Sequence, residues 1–215
     1  MTSEEKESFC RTLAFVLSPP DQELADHLRR GAFYSFFHSY LHSWAADTDT
    51  LRGFLVDDHS DAVLSELISE YERLFSGPSG EGISLIESLY RPWTLDPHCT
   101  LSFASDKGLV MGDPALHLLA LYAQCGLEVS EELRGRPDHL ILELEFLAYL
   151  YRWATDAEIK RFIADHLDWT SALGEELKGF AAAPFYESAF AILDLFLKQE
   201  RKRPEGENDG KKDIH

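Results

Sequence analysis

The sequence predicts an all-α protein: a single compact multi-helix domain over residues 1–203, a long central connection within it, and a short disordered, charged tail over 204–215. Three observations carry this. Apolar residues recur at helical spacing, as in Leu140, Leu144, Leu147 and Tyr151 at i, i+4, i+7 and i+11. Helix-start residues precede these runs, and glycine or proline follows them. No run of β-branched residues recurs at strand spacing, and no tandem repeat is present.

Each element has its own local reason. Thr2 and Glu5 have capping-box spacing ahead of Phe9, Leu13, Val16 and Leu17, and Ser18-Pro19-Pro20 stops the run. Asp21 is placed to cap a helix carrying Leu24 and Leu28. Gly31 then interrupts, and Phe33, Phe36, Phe37, Tyr40, Leu41 and Trp44 form an aromatic face suited to core packing. Ser60 precedes Val63, Leu67, Tyr71, Leu74 and Phe75, and Gly77-Pro78-Ser79-Gly80 ends that helix. The long connection runs through Tyr90-Arg91-Pro92-Trp93 to Gly112 and is the chain's hinge candidate. Asp113-Pro114 reads as N-cap and first helical residue, and Gly126 as the stop. Pro137-Asp138 opens the next helix, with Asp138 as its cap, and Thr155 with Glu158 is a second capping box. Gly174 and Gly179 bracket a weak helical stretch, and Pro184 opens a last apolar helix through Leu197.

Charge narrows the partners. The chain has a formal net charge of -18. The five basic and four acidic residues from 201 onward leave -19 to residues 1–200. Such a field repels nucleic acid and anionic lipid and favours basic peptides. Cys10, Cys99 and Cys125 are odd in number and far apart, with no CxxC pair, which fits a reducing, cytoplasmic setting. Nothing approaches the roughly 18 uninterrupted apolar residues of a membrane span, so no stable membrane insertion is expected.

The chemical inventory does not specify an enzyme. His38 and His42 have HxxxH spacing, but Ser39 stands where a zinc-hydrolase signature needs Glu. Asp113, His117, His139, Glu143, Asp165 and His166 are further ligand types with nothing in the sequence to make them converge. A metal-dependent helical hydrolase is the alternative that this inventory motivates. No nucleophile has a local acid or base partner, and no phosphate-binding loop is present, so no catalytic residue, metal or cofactor is assigned. The polar focus is Arg136-Pro137-Asp138-His139 with Glu143. On the helix that follows, Glu143 flanks the apolar face while Glu145 points toward solvent, so Glu143 is the better placed to hold His139 or a partner group.

An ordered set of motifs then carries a resemblance. Tyr71-Glu72-Arg73-Leu74-Phe75-Ser76-Gly77-Pro78 and Glu87-Ser88-Leu89-Tyr90 come first. Tyr122 and Gly126, Pro137-Asp138-His139, Glu143-Leu144-Glu145-Phe146, and Phe162 through His166-Leu167 to Trp169 follow in order. Together, across roughly residues 9–197, they resemble the TorD/DmsD/NarJ family of redox-enzyme maturation chaperones. The resemblance implies a cytoplasmic, all-helical, noncatalytic chaperone. Its partners would be a molybdenum-containing oxidoreductase precursor and that precursor's basic twin-arginine leader, held until the cofactor is inserted and then released for export. It places Asp138 and His139 at a leader-binding centre, with Tyr71, Leu74, Phe75 and Tyr90 nearer a supporting or apolar surface. Arg136 departs from some relatives, which are more acidic just before the proline, so the resemblance does not imply an identical peptide preference. Monomer and homodimer, including one formed by domain exchange, both stay open.

Overall fold

The computed structural model describes residues 1–56, 62–75, 82–180 and 184–204. Ser60, the Ser76–Gly80 part of the first motif and its stop, and residues 205–215 of the expected tail lie outside the described residues. Among the described residues there are nine α-helices, three short 3-10 helices and no strand beyond one isolated bridge. The fold is all-α, as the periodicity requires.

Side-chain caps open four of the nine α-helices, those that begin at Ser3, Gln22, Leu140 and Asp156. α1 (Ser3–Val16) opens on the Thr2–Glu5 box, with Glu5 N donating to Thr2 Oγ1 at 3.2 Å and Thr2 N to Glu5 Oε2 at 2.6 Å. α2 (Gln22–Arg29) is capped by Asp21, which accepts from Leu24 N at 2.8 Å. Gly31, at φ 65°, takes the left-handed turn that separates α2 from α3 (Ala32–Ser43). α4 (Val63–Phe75) follows. α5 (Asp113–Gln124), α6 (Leu140–Trp153) and α7 (Asp156–His166) come after the long connection, and α7 carries the complete Thr155–Glu158 box. α8 (Thr170–Gly179) and α9 (Pro184–Lys202) complete the order.

Three local expectations are corrected. Asp113 is the first residue of α5 rather than its cap, because its carboxylate accepts from Thr94 Oγ1 at 2.6 Å and Leu95 N at 3.1 Å. Gly174 lies inside α8 instead of bounding it. The cap of α6 is His139, whose Nδ1 accepts from Ile141 N at 3.3 Å, because the Asp138 carboxylate is engaged elsewhere. The connection expected as a hinge contains no α-helix between residues 90 and 112. It is tied to itself by Trp93 N to Asp106 O and Thr94 N to Ala104 O, both 2.9 Å, and by Trp93 against Phe103.

The described residues fall into two compact units. The first comprises Met1–Ala14, Ser84–Ala172 and the described residues from Glu200 onward. α6 runs through its core, with Leu144, Leu147 and Tyr151 fully buried and α7 packed against it. A charged network also lies inside this unit. Lys6 Nζ is 2.9 Å from Glu200 Oε1, Tyr151 OH donates to Glu200 Oε2 at 2.8 Å, and Arg203 Nε donates to the same oxygen at 3.1 Å. Arg203 also pairs with Asp156.

The second unit comprises the described residues of Phe15–Ile83 and Leu173–Gln199. The aromatic face of α3 packs inward here, with Phe33, Phe37 and Leu41 buried and Phe54 between Phe37, at 5.5 Å, and Phe185, at 5.4 Å. Gly53 makes the closest backbone approach. Its N–H donates to Ser188 Oγ at 3.0 Å, and a Cβ there would stand 1.8 Å from the carbonyl oxygen of Pro184. Because backbone cannot retreat as a side-chain tip does, Gly53→Ala is expected to cost about 2 kcal/mol or more. Urea unfolding of the variant checks this, and an unchanged midpoint would reject the packing described.

Candidate functional site

The motifs after residue 84 meet in one buried polar knot of the first unit. An antiparallel bridge joins Ile86 to His139, with Glu87 N donating to Asp138 O at 2.9 Å and Leu140 N to Leu85 O at 2.8 Å. This brings the Glu87–Leu89 turn against the start of α6. Asp138, with no exposed surface, accepts from Ser88 N at 2.8 Å and from Ser88 Oγ. Tyr122 OH, on α5, donates to Pro137 O at 2.9 Å.

The end of α7 closes the knot. His166 Nδ1 lies 2.9 Å from Glu87 Oε2, and its Nε2 lies 2.8 Å from His117 Nδ1. Trp169 Nε1 donates to Glu143 Oε2 at 3.0 Å and to His166 O at 2.9 Å. Arg91 Nε forms an ion pair with Glu87 Oε1 at 2.6 Å, and its Nη2 donates to Asp165 O at 2.7 Å and pairs with Asp168. Glu87, Asp138 and Glu143 are thus three fully buried carboxyl groups with few cations among them. Burial first, and repulsion from Glu87 next, push the Glu143 carboxyl well above its usual range, against the pull of the Trp169 hydrogen bond. Desolvation, then Arg136, lowers His139 to about 4, so its ring is neutral at pH 7 and Nδ1 is free to accept as a cap. Desolvation and the neighbouring His166 likewise lower His117.

The residues predicted for peptide binding divide between the units. Asp138, His139, Glu143 and Tyr90 are in the first. Tyr90 packs its ring tilted against Trp169, with centroids 5.1 Å apart, and donates to Ser84 O at 3.0 Å. Tyr71, Leu74 and Phe75 are in the second, where Leu74 is fully buried and the rings of Tyr71 and Phe75 lie 6.2 and 5.3 Å from that of Tyr186. Glu143 is buried while Glu145 is exposed, but Trp169, not His139, is the partner of Glu143. Sequence reasoning assigned no role to Glu87, Arg91 and Trp169, and weighed His117 and His166 only as ligand types for a metal. Glu87, His166 and Trp169 lie inside the quoted motifs, which was the available signal. Among the described residues no group of three or more His, Cys, Asp or Glu side chains is disposed to hold a metal ion, and no helix is long and apolar enough to cross a membrane.

On the surface above the knot, a pocket of about 270 Å³ is lined by Pro92, Leu95, Asp113, His117 and Asp165, with Glu87 at its base. Asp113 and Asp165 supply its exposed carboxylates, Pro92, Leu95 and Pro114 its apolar wall, and Arg91, paired with Glu87 and Asp168, also lines it. That suits a cationic group attached to a hydrophobic chain.

The family model described as "Nitrate reductase delta subunit" matches residues 38–183, more than half of the chain. The chain belongs to this family, the TorD/DmsD/NarJ family that its motifs resemble. A chaperone protein TorD of Vibrio cholerae is 31% identical over 121 residues, which cover 49% of this chain and 55% of that protein. The chain therefore spans about half the length of the first curated relatives it matches. A TorD of Shewanella pealeana is 26% identical over 75% of this chain and 71% of its own length. A crystal structure of a candidate redox enzyme maturation protein from Archaeoglobus fulgidus has the same fold, with a TM-score of 0.51 at 20% identity over 94% of this chain and 93% of that one.

Proposed function

We propose that this protein is a noncatalytic cytoplasmic chaperone for a molybdenum-containing oxidoreductase, binding the precursor's basic twin-arginine leader or its immature form and supporting cofactor insertion before export. Family membership together with the acidic-rimmed pocket above the buried knot supports this reading most directly. Carboxylates at Asp113 and Asp165 attract guanidinium groups, and apolar wall supplies affinity. Asp138, Glu143 and Leu74 have no exposed surface, so their part in this function is to hold what the ligand meets. Asp138 fixes the Ser88 turn, and Glu143 fixes Trp169, against which Tyr90 packs. His139, Tyr71, Phe75 and Tyr90 complete the proposed set.

Calorimetric titration with the precursor leader and with a leader whose arginines are glutamine tests the reading. Saturable binding of the first and weak binding of the second is expected. Absence of saturable binding by either the leader or the immature enzyme would reject it. Replacing Asp138 and His139 together by alanine should weaken leader binding about tenfold, or roughly 1.4 kcal/mol, while Glu145→Gln leaves it unchanged. Unfolding must be followed in parallel, because loss of a helix cap alone costs about 1 kcal/mol of stability. Equal losses in both variants would overturn this ordering.

A further inference from the structure

α5 is apolar around most of its circumference. Ala115, Leu118 and Tyr122 are buried in the first unit, and His117 and Leu121 face the hollows beside α7. The remaining side carries Leu116, Leu119, Ala120 and Ala123, at i, i+3, i+4 and i+7. All four are exposed, the two leucines at 51% and 37%. A helix that is apolar on every side is ordinarily covered on every side. Charge also sets this helix apart. No Asp, Glu, Lys or Arg occurs from Pro114 to Leu127, in a chain whose residues are 27% charged and whose net charge is -18.

We propose that this stripe is a homodimer interface, on which a second copy of the chain lays its own α5 antiparallel about a twofold axis between Leu119 and Ala120. The order of large and small side chains selects that occupant. In this register Leu116 meets Ala123 of the second copy and Leu119 meets its Ala120, and the twofold repeats both contacts. Each leucine thus enters a hole left by an alanine. A parallel copy would instead set leucine on leucine and leave the alanines facing a gap. Charge agrees. Two bodies of -18 repel, so they can meet only where neither presents a charge, whereas a basic partner gains nothing from a charge-free face. Area sets the strength. The twelve residues of α5 span about 18 Å, and a helix face about 10 Å wide over that length is small beside the roughly 800 Å² per partner of a standard interface. Exposed Leu109 and Val110 lead into α5, and Leu95, 76% exposed, donates its N–H to the Asp113 carboxylate, so the connection adds apolar surface at this end. The dimer is accordingly reversible and exchanges no segment. The register also sets Asp113 opposite Gly126 of the second copy, which brings the end of that copy's α5 beside the pocket that Asp113 lines.

Sedimentation equilibrium of the full chain over a wide concentration range, at low and high salt, tests this. A monomer–dimer equilibrium is expected, and salt should strengthen it by screening the repulsion between two acidic bodies. Leu119→Glu and, separately, Ala120→Lys should each weaken the dimer about tenfold or more, because each sets like charges together across the twofold. Mixed in equal amounts, the two variants should associate again, since the introduced carboxylate of one chain then faces the introduced ammonium of the other. Both positions are exposed, so circular dichroism and the urea midpoint should match wild type. If either variant loses its fold, Leu116→Glu with Ala123→Lys repeats the test on the other pair of the register. A wild type that is monomeric at every concentration overturns the proposal. So does a dimer that both variants leave intact, as one built by exchanging segments would be. Variants that each dissociate the dimer yet do not associate when mixed overturn the antiparallel register. A monomeric wild type whose binding of the immature enzyme is lost in Leu119→Glu would make that client the occupant of the stripe, and the proposal falls.

Discussion

Replacing Glu200 by alanine is expected to destabilise the first unit by about 3–5 kcal/mol, the cost of removing one partner from a buried ion pair. Glu200 is 4% exposed, and its two oxygens satisfy Lys6, Tyr151 and Arg203 together. Without it Lys6 keeps no carboxylate in the network, and Arg203 keeps only Asp156. Lys6 and Arg203 have side chains 4% and 9% exposed, so neither recovers its hydration without local unfolding. Glu200→Gln retains an acceptor for Tyr151 and should cost less. Urea unfolding of both variants checks the order, and a Glu200→Ala loss below about 1 kcal/mol, the level of an exposed pair, would show that the network is solvated.

Acid should remove a second contribution of similar size. His139 has its pKa lowered from 6.5 to about 4 in the fold, chiefly by burial. Its unfolded form therefore takes up a proton first as pH falls. The stabilisation from keeping a neutral ring is complete above pH 6.5 and is lost as pH drops through about 4, a total of about 3 kcal/mol at about 1.4 kcal/mol per unit. Asparagine also caps helices but does not titrate. The stability difference between wild type and His139→Asn should accordingly shrink or reverse in the wild type's disfavour between pH 6.5 and 4. Parallel stability profiles of the two proteins across that range would disprove the burial argument.

Much of the fold was readable from local chemistry. Thr2–Glu5, Asp21 and Thr155–Glu158 mark helix starts through hydrogen bonds within three residues of one another. The same period that separates Glu143 from Glu145 tells buried from exposed. It cannot name the partner. Trp169, which binds Glu143, is 26 residues away, and Ser88, which draws Asp138 off the α6 cap, is 50 residues away. The site was therefore visible as motifs but not as a knot, because bonds such as Glu87 to His166 exist only once distant segments have packed. Lys6 and Glu200 carried no signal at all. Each reads as an ordinary surface charge until folding brings together two positions 194 apart in sequence.

The division of the first unit into three stretches of chain sets an order on its synthesis. Its middle stretch ends at Ala172, while Glu200 and Arg203 emerge some thirty residues later. At about 5–20 residues per second, the ribosome exposes that middle stretch for roughly 1–6 seconds before its last partners arrive. The second unit waits for residues up to Gln199 in the same way. A nascent chain of this protein therefore cannot complete either unit until nearly all of α9 has been made.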